Sequence, residues 1–288
     1  MSSCTTPTSA RSATTRLARL LLTASAIGAT ALAAPSPASA APAAPGPLSS
    51  PDSHSMGSTI AAHEGASPTA ASTTSTGATT GTQGMDVSRW QGDVDWTAAR
   101  AAGARFAYVK ATEGTSYTNP YFKQQYNGSY GAGMIRGAYH FALPDRSSGT
   151  AQADWFVGHG GGWSADGRTL PPLLDLEYNP YGSTCYGLTP KQMVSWVRSF
   201  SSRVKTLTGR APALYTTTSW WDQCTGSNSS FGTTNPLFVA RYASTVGTLP
   251  AGWTRYALWQ YADSGVLPGD QDTFHGGMTK LRAFARGQ

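Results

Sequence analysis

Residues 173–178 read Leu-Leu-Asp-Leu-Glu-Tyr, an apolar run in which two acids alternate with leucines. Side chains two residues apart in a β-strand share a face, so Asp175 and Glu177 are expected on one face, about 6.6 Å apart along the strand. Leu174 and Leu176 then lie on the opposite face. In a parallel barrel the leucines would pack against helices and the acids would face the mouth. This stretch therefore predicts a barrel strand that ends in paired carboxylates.

Apolar runs of strand length recur on both sides of this stretch, with helix-like segments between them. The other strands are expected at 85–90, 106–112, 135–142, 213–217, 237–242 and 256–261. Helices are expected at 96–102, 120–131, 150–157 and 190–207. Strands that alternate with helices indicate a parallel α/β sheet, and seven or eight of them indicate a TIM-like (β/α) barrel. The later strands have fewer helices between them, so we expect an irregular barrel with a helix-poor second half.

The 288-residue chain changes composition abruptly at Gly84. Residues 41–83 contain no aromatic residue and are almost entirely Ala, Pro, Ser, Thr and Gly, whereas all nine Trp residues lie beyond them. Such a segment cannot bury enough apolar surface to order itself. We therefore expect 41–83 to be a disordered linker or a trimmed pro-segment, without a side chain that could pack, and 84–288 to be the folded domain.

Residues 1–40 have the pattern of an export signal. They contain three arginines and no acid, an apolar run at 17–34, and the small residues Ala38-Ser39-Ala40 as a cleavage site. The alternative, a membrane anchor, needs about 20 strongly apolar residues, and this run is mostly Ala, Thr and Ser with Leu. We expect a secreted protein that has no membrane association after signal cleavage.

Two of the three cysteines, Cys185 and Cys224, lie beyond the predicted signal. An even pair in an exported chain suggests a disulfide, and two buried free thiols are the alternative. The sequence has no C-x-x-C pair, zinc-finger spacing or phosphate-binding loop, which argues against structural zinc and P-loop nucleotide sites. His140 is interpreted as a hydrogen-bonded structural histidine, and we expect neither a metal nor a cofactor.

Further acids lie at or near the ends of other predicted strands. Asp86 belongs to the first strand, Glu113 follows Lys110 in the second, and Asp270 and Asp272 lie near the C-terminus. Two close carboxylates raise the proton affinity of one of them, which a general acid requires near neutral pH. For an isolated Asp-x-Glu pair, an acidic strand face in water is the alternative.

Aromatic residues at the predicted strand ends indicate the class of ligand. Tyr139, Tyr215 and Trp259 combine a flat apolar face with a polar edge, which suits sugar rings, although each alone is also consistent with a core position. Residues 84–288 contain 18 Lys and Arg against 13 Asp and Glu, a basic excess of +5 that is dispersed along the domain. This distribution disfavours nucleic acid as a partner and favours a polyanionic wall polymer.

Several stretches in order across 84–288 resemble the glycoside hydrolase family 25 lysozymes, the Chalaropsis-type muramidases. They are Gly84-Met85-Asp86-Val87-Ser88, FAYVKATEGTSYTNPYF from Phe106, GAYHFA from Gly137, LLDLE from Leu173 and LWQYADSG from Leu258. The resemblance implies an irregular (β/α) barrel that cleaves the β-1,4 bond between N-acetylmuramic acid and N-acetylglucosamine in peptidoglycan. The family's Asp-x-Asn near the end is here Asp270-Gln271-Asp272.

The resemblance also implies the roles of individual residues. By position, Glu177 is the general acid, Asp175 is its partner carboxylate, and Asp86 and Asp270 complete an acidic floor. Tyr139 lines the sugar site beside the scissile bond. The remaining candidates for substrate binding are Tyr215, Trp259, Glu113 and Lys110.

Two other functions fit parts of the pattern. A catalytically inactive barrel could bind wall glycan, but it would have no need of Asp86, Asp175 and Glu177 together. A chitinase usually has a longer Asp-x-x-Asp-x-Asp-x-Glu run, whereas residues 170–173 read Leu-Pro-Pro-Leu. We expect a monomeric, secreted muramidase that acts on peptidoglycan glycan strands, and a chain beginning at Ser75 should keep its turnover.

Overall fold

The structure is a computed structural model that describes residues 54–65 and 81–288. Its strands are β1 (Thr82–Val87), β2 (Phe106–Glu113), β3 (Tyr117–Thr118), β4 (Ile135–Phe141), β5 (Leu173–Asp175), β6 (Ala213–Thr216), β7 (Leu237–Ala240), β8 (Leu258–Ala262) and β9 (Asp270–Phe274). Its α-helices are α1 (Ile60–Glu64), α2 (Trp96–Ala101), α3 (Phe122–Gly131), α4 (Gly149–Gly158), α5 (Pro190–Thr208), α6 (Thr218–Thr225) and α7 (Met278–Arg286). The predicted export signal, residues 1–40, lies outside the described residues. None of the described helices is long and apolar enough to span a membrane.

Eight strands close into a barrel in the order β1-β2-β4-β5-β6-β7-β8-β9, and β9 pairs back onto β1. From β1 to β8 the neighbouring strands are parallel, whereas β9 is antiparallel to both β8 and β1. The short β3 adds to β2 outside this ring. Because β9 is reversed, its first residue, Asp270, pairs with Asp86 near the end of β1. The prediction of an irregular TIM-like barrel is confirmed.

Helices cover the first half of the barrel more completely than the second. The connections from β1 to β7 contain α2 to α6, but no helix lies between β7 and β8 or between β8 and β9. The β8–β9 pair is antiparallel and needs no crossover helix, because a short connection returns the chain to the adjacent strand. The predicted helix-poor second half is therefore confirmed, and the reversed strand explains the missing helix between β8 and β9.

The predicted helix at 190–207 forms as α5 because its ends carry strong capping signals. Thr189 and Gln192 form a reciprocal capping box at the start, and Pro190 occupies the first turn, where no backbone donor is needed. Gly209 ends the helix in the left-handed conformation at φ 77°. The sequence did not predict α6, α7 or β9, and the last of these reads Asp-Gln-Asp-Thr-Phe rather than as an apolar run.

Side chains alternate between the barrel interior and an outer layer beneath the helices. The interior contains large buried residues from most strands: Phe106, Tyr108, Tyr139, Leu173, Tyr215, Phe238 and Leu258. Leu174 and Leu176 pack instead with residues of α5, including Met193 and Phe200. The predicted orientation of the leucines toward the helices is therefore confirmed, although regular strand structure ends at Asp175.

Residues 54–65, called here the upstream segment, are ordered, which corrects the prediction of a disordered linker for this part of 41–83. Met56 and Ile60 are buried and join the interior core cluster of the barrel. The prediction failed because it rested on the average composition of 41–83. Two apolar side chains of this segment are enough to order it, because they pack into the core that the barrel forms. Residues 41–53 and 66–80 lie outside the described part of the chain.

A disulfide joins Cys185, in the connection that follows β5, to Cys224 in α6, with a Cα–Cα distance of 5.3 Å. The predicted pairing is therefore present, and the alternative of two free thiols is wrong. The bridge ties together the connections that follow two adjacent barrel strands.

Replacing both cysteines with serine should lower the free energy of unfolding by about 4 kcal/mol, because the bridge closes a loop of 39 residues. Chemical denaturation of the wild-type and variant chains measures this difference. Mass spectrometry of a non-reduced digest should recover the Cys185 and Cys224 peptides as one linked species. Recovery of the two peptides separately would contradict the pairing.

Candidate active site

Four predicted acids converge at the mouth of the barrel. Asp86 is the penultimate residue of β1, Asp175 is the last residue of β5, Glu177 lies two residues beyond it, and Asp270 is the first residue of β9. Asp86, Asp175 and Glu177 are buried, and Asp270 is partly buried. The reversal of β9 places the start of that strand beside the ends of the parallel strands, and this geometry was not predicted.

Gln260 holds the acidic floor together and is absent from the predicted site. Its side-chain nitrogen donates hydrogen bonds to Asp86 Oδ2 at 2.8 Å and to Asp270 Oδ2 at 2.9 Å. Its Oε1 accepts a hydrogen bond from the Tyr215 hydroxyl at 2.6 Å and lies 3.1 Å from the Tyr242 hydroxyl. The alternation along β8, which puts Gln260 on the same face as the interior Leu258, is the signal that could have identified it.

Glu177 receives hydrogen bonds from the upstream segment on both carboxyl oxygens. The backbone N–H of Gly57 donates to Oε1 at 2.7 Å, and that of Thr59 donates to Oε2 at 2.9 Å. The Thr59 hydroxyl also donates to Oε2. Burial raises the pKa of Glu177 to about 7, although the hydrogen bonds from Thr59 and Gly57 favour the ionised form.

The other acids of the floor are also held toward their protonated forms. Burial raises the pKa of Asp86 to about 8, against the hydrogen bond from Gln260 and with the help of the nearby Glu177 charge. Burial and the charge of Glu177 raise the pKa of Asp175 well above its usual range. Burial and the charge of Asp86 do the same for Asp270. The group can therefore hold protons at neutral pH, as acid catalysis requires.

Lys110 and Glu113 form a buried ion pair on β2. The Lys110 ammonium donates to Glu113 Oε2 and to the backbone carbonyl of His54, and it lies 5.0 Å from the centre of the Phe141 ring. The second oxygen of Glu113 accepts a hydrogen bond from the Tyr181 hydroxyl at 2.5 Å. This cation offsets part of the negative charge at the mouth.

The structure brings two of the three predicted sugar-binding aromatics into the barrel interior. Tyr139 and Tyr215 belong to the interior cluster, and the hydroxyl of Tyr139 accepts a hydrogen bond from the Met56 backbone N–H at 3.1 Å. Trp259 lies on the opposite face of β8, in the outer cluster, and donates to the Arg241 carbonyl at 2.9 Å. Neighbouring residues of a strand point to opposite faces, so Trp259 points away from the acids that Gln260 contacts.

His140 is a structural histidine, as predicted. Its Nδ1 lies 2.8 Å from the Thr112 hydroxyl and its Nε2 lies 2.9 Å from Gln152 Oε1. Burial lowers the pKa of its imidazole to about 3, so the ring is neutral at physiological pH. Within 54–65 and 81–288, no cluster of three or more His, Cys, Asp or Glu side chains is arranged to hold a metal ion.

Asp272 lies one interior layer below Asp270 on β9. It is fully buried, and neither of its carboxyl oxygens accepts a hydrogen bond from the described residues. Burial, followed by the charge of Asp86, raises its pKa well above the usual range. A buried carboxyl without donors is expected to be protonated in the folded state.

Residues 85–270 match the family described as Glycosyl hydrolases family 25. The chain belongs to this family. Lysozyme M1 of Streptomyces globisporus is 48% identical over 72% of each chain. The N,O-diacetylmuramidase of Chalaropsis sp is 49% identical over 71% of this chain and 99% of that protein. The structure of a muramidase from Acremonium alcalophilum has a TM-score of 0.70 and 52% identity, covering 72% of this chain and 99% of its own.

The comparisons also locate the family fold within the chain. Nearly the whole Acremonium alcalophilum muramidase corresponds to less than three quarters of this chain. The family 25 barrel accounts for nearly all of that protein, and we propose that the equivalent part of this chain folds without residues 1–74.

Replacing the buried Asp272 with asparagine should stabilise this family 25 protein increasingly as the pH rises. In the unfolded chain Asp272 ionises near pH 4, whereas its raised pKa keeps it protonated in the fold, so its contribution is lost as the pH rises from 4 to the folded pKa. Over this window the gain of Asp272→Asn should grow by about 1.4 kcal/mol for each pH unit.

Thermal unfolding at pH 4, 6 and 8 measures this trend. The exposed Asp93, replaced with asparagine, serves as the matched control and should show no such trend. A stability difference between Asp272→Asn and wild type that stays constant with pH would contradict the assignment of Asp272 as a protonated acid.

Proposed function

We propose that this family 25 muramidase hydrolyses the β-1,4 bond between N-acetylmuramic acid and N-acetylglucosamine in peptidoglycan with Glu177 as its proton donor. The proposal rests chiefly on the buried pair of Asp175 and Glu177 at the barrel mouth, where the pKa of Glu177 is raised to about 7. Relatives named lysozyme and N,O-diacetylmuramidase, each close to half identical in sequence, support the same substrate.

In the first step, Glu177 donates its proton to the glycosidic oxygen as the bond to the sugar carbon breaks. Asp175, the last residue of β5, lies on the same side as Glu177 and is poorly placed to attack from the opposite face of the sugar. We assign the attack to the carbonyl oxygen of the substrate's own N-acetyl group, a recognised variant of glycoside hydrolysis. Asp175 orients and polarises this group while the new carbon–oxygen bond forms.

In the second step, water opens the cyclic intermediate. Glu177, now ionised, accepts the proton that water loses as its oxygen bonds to the sugar carbon, which restores both the acid and the acetamido group. Asp86 and Asp270, held by Gln260, present their carboxyl oxygens to the positive charge that develops on the sugar. The reaction needs no cofactor.

Substrate binding falls to the residues around these acids. Tyr139 and Tyr215 line the interior beside them, and the Lys110–Glu113 pair lies close enough for the Lys110 charge to act on Asp175 and Glu177. Trp259 is not included, because it faces the outer layer. We further propose that the enzyme acts outside the cell, as a monomer and with no membrane association. The signal pattern of residues 1–40 supports the extracellular location.

Glu177→Gln in a chain beginning at Ser75 should lower turnover on peptidoglycan by about 10³-fold, because it removes the proton donor. Asp175→Asn should lower it less, by about 10²-fold, because the acetamido oxygen remains. Release of reducing ends from peptidoglycan, with chitin in parallel, measures both effects, and Asp93→Asn serves as the control. Release from chitin alone would indicate a chitinase, and binding without hydrolysis would indicate an inactive wall-binding barrel.

Mass spectrometry of the enzyme quenched during turnover tests the assignment of the nucleophile. No sugar should be attached to the protein, because the substrate-assisted route forms no bond to a side chain. A glycosyl ester on Asp175 would overturn the assignment and would show that the reaction is an ordinary double displacement.

A further inference from the structure

The upstream segment occupies the groove in which the proposed reaction takes place. Both oxygens of Glu177 accept hydrogen bonds from Gly57 and Thr59. Two of these three donors are backbone N–H groups, which cannot act as acceptors, so this arrangement engages the carboxylate as an acceptor. Both carboxyl oxygens of Glu177 are therefore already hydrogen-bonded to the segment and are not accessible to a glycosidic oxygen that needs a proton.

The same segment engages the groups assigned to sugar binding. The Met56 N–H donates to the Tyr139 hydroxyl, and the His54 carbonyl accepts from the Lys110 ammonium. The Gly57 carbonyl oxygen also lies 3.1 Å from the hydroxyl of Tyr242, which contacts Gln260 in the acidic floor. The segment therefore uses the hydrogen-bonding groups that a bound glycan would need.

Apolar contacts and a helix anchor the segment at its other end. Met56 and Ile60 are at most 2% exposed and pack into the interior cluster. In α1, Glu64 accepts hydrogen bonds from the hydroxyls of Tyr178, at 2.6 Å, and Thr217. The His63 ring stacks on Tyr178 with a centroid distance of 4.1 Å.

The segment fits so closely that it requires a glycine at position 57. Gly57 has a φ of +84°, and a Cβ atom there would lie 2.3 Å from the Tyr242 hydroxyl and 2.6 Å from Gln260 Oε1. Gly65 has a similar φ of +80°, but a Cβ there would meet nothing within 4 Å. The backbone of residue 57 thus lies directly against the groups that organise the acidic floor.

A cavity beside the upstream segment does not reach Asp175 or Glu177. A cavity of about 540 Å³ lies beside α1, with Ile60, Glu64, Thr218 and Tyr242 in its lining. Glu177 and Asp175 do not line it, and both are 0% exposed. Entry of a glycan strand to these acids therefore requires the upstream segment to leave.

We propose that residues 54–65 are an intramolecular inhibitor that occupies the glycan-binding groove and keeps the full-length enzyme latent. The inference rests on the proposed function, since it assigns regulation to the same site. The segment belongs to the same chain as the barrel, so its effective concentration at the groove is high, typically in the millimolar range for short links. Once separated from the barrel, the segment is an ordinary ligand that dilution removes.

The proposal predicts that Gly57→Val raises the activity of the full chain on peptidoglycan at least tenfold, toward that of the chain beginning at Ser75. The added side chain collides with Tyr242 and Gln260 and expels the segment. Gly65→Val is the matched control, because it introduces the same residue at a similar φ in open space and should leave the full chain latent.

A synthetic peptide with the sequence of residues 54–65 provides a second measurement that does not depend on folding of a variant. Added to the chain beginning at Ser75, it should raise the apparent KM for soluble glycan fragments without changing kcat. A peptide of the same composition in scrambled order, and one that carries valine in place of Gly57, should not inhibit.

The outcomes separate this inference from the proposed function. A full chain as active as the chain beginning at Ser75, or a peptide 54–65 that does not inhibit, would overturn the latency while the muramidase assignment stands. If the chain beginning at Ser75 does not cleave peptidoglycan, the proposed function fails. In that case, amine labelling of Lys110 still tests occupation of the groove. Lys110 protected in the full chain and labelled in the Gly57→Val variant would support occupation. Equal labelling of Lys110 in the two chains would refute it.

Discussion

The cost of burying carboxyl groups is the constraint on which the mouth of this barrel depends. Asp86, Asp175, Glu177 and Asp272 are buried, and Lys110 is the one buried lysine among the described residues. Desolvation raises the pKa of each of these acids because few cations oppose it. The acids are therefore protonated close to the position where the leaving oxygen must receive a proton. Hydrogen bonds to the carboxyl groups lower their pKa values by different amounts and so set which acid loses its proton first.

Gln260, a neutral residue, holds the buried acids in place by hydrogen bonds. Its amide nitrogen serves two acids and its oxygen serves a tyrosine hydroxyl, so one side chain satisfies groups from β1, β6 and β9. A lysine at this position would hold both acids ionised and would remove the proton store, whereas an apolar residue would leave both without a donor. The amide supports the arrangement without fixing the protonation of either acid.

The stretch at 173–178 predicted the strand, the outward leucines and the paired acids, because a period of two is a local property of the chain. The reversed β9 could not be predicted in this way, since its polar sequence resembles a loop and its pairing depends on the distant β1. The sequence favours Trp259 over Gln260 for the site because an aromatic ring suits a sugar, whereas the face of β8 that each residue occupies depends on the register of the strand. The upstream segment was missed because its core is supplied by residues far along the chain.

Closure of the barrel by β1 and β9 has a consequence for biosynthesis. Asp86 and Asp270 face each other across this pair, and the Thr82–Phe274 register joins the two ends of the barrel. A nascent chain cannot complete the acidic floor until β9 has been translated, because Asp270 is the first residue of that strand. The catalytic centre is therefore one of the last parts of the domain to be completed, because it draws its acids from both ends of the barrel.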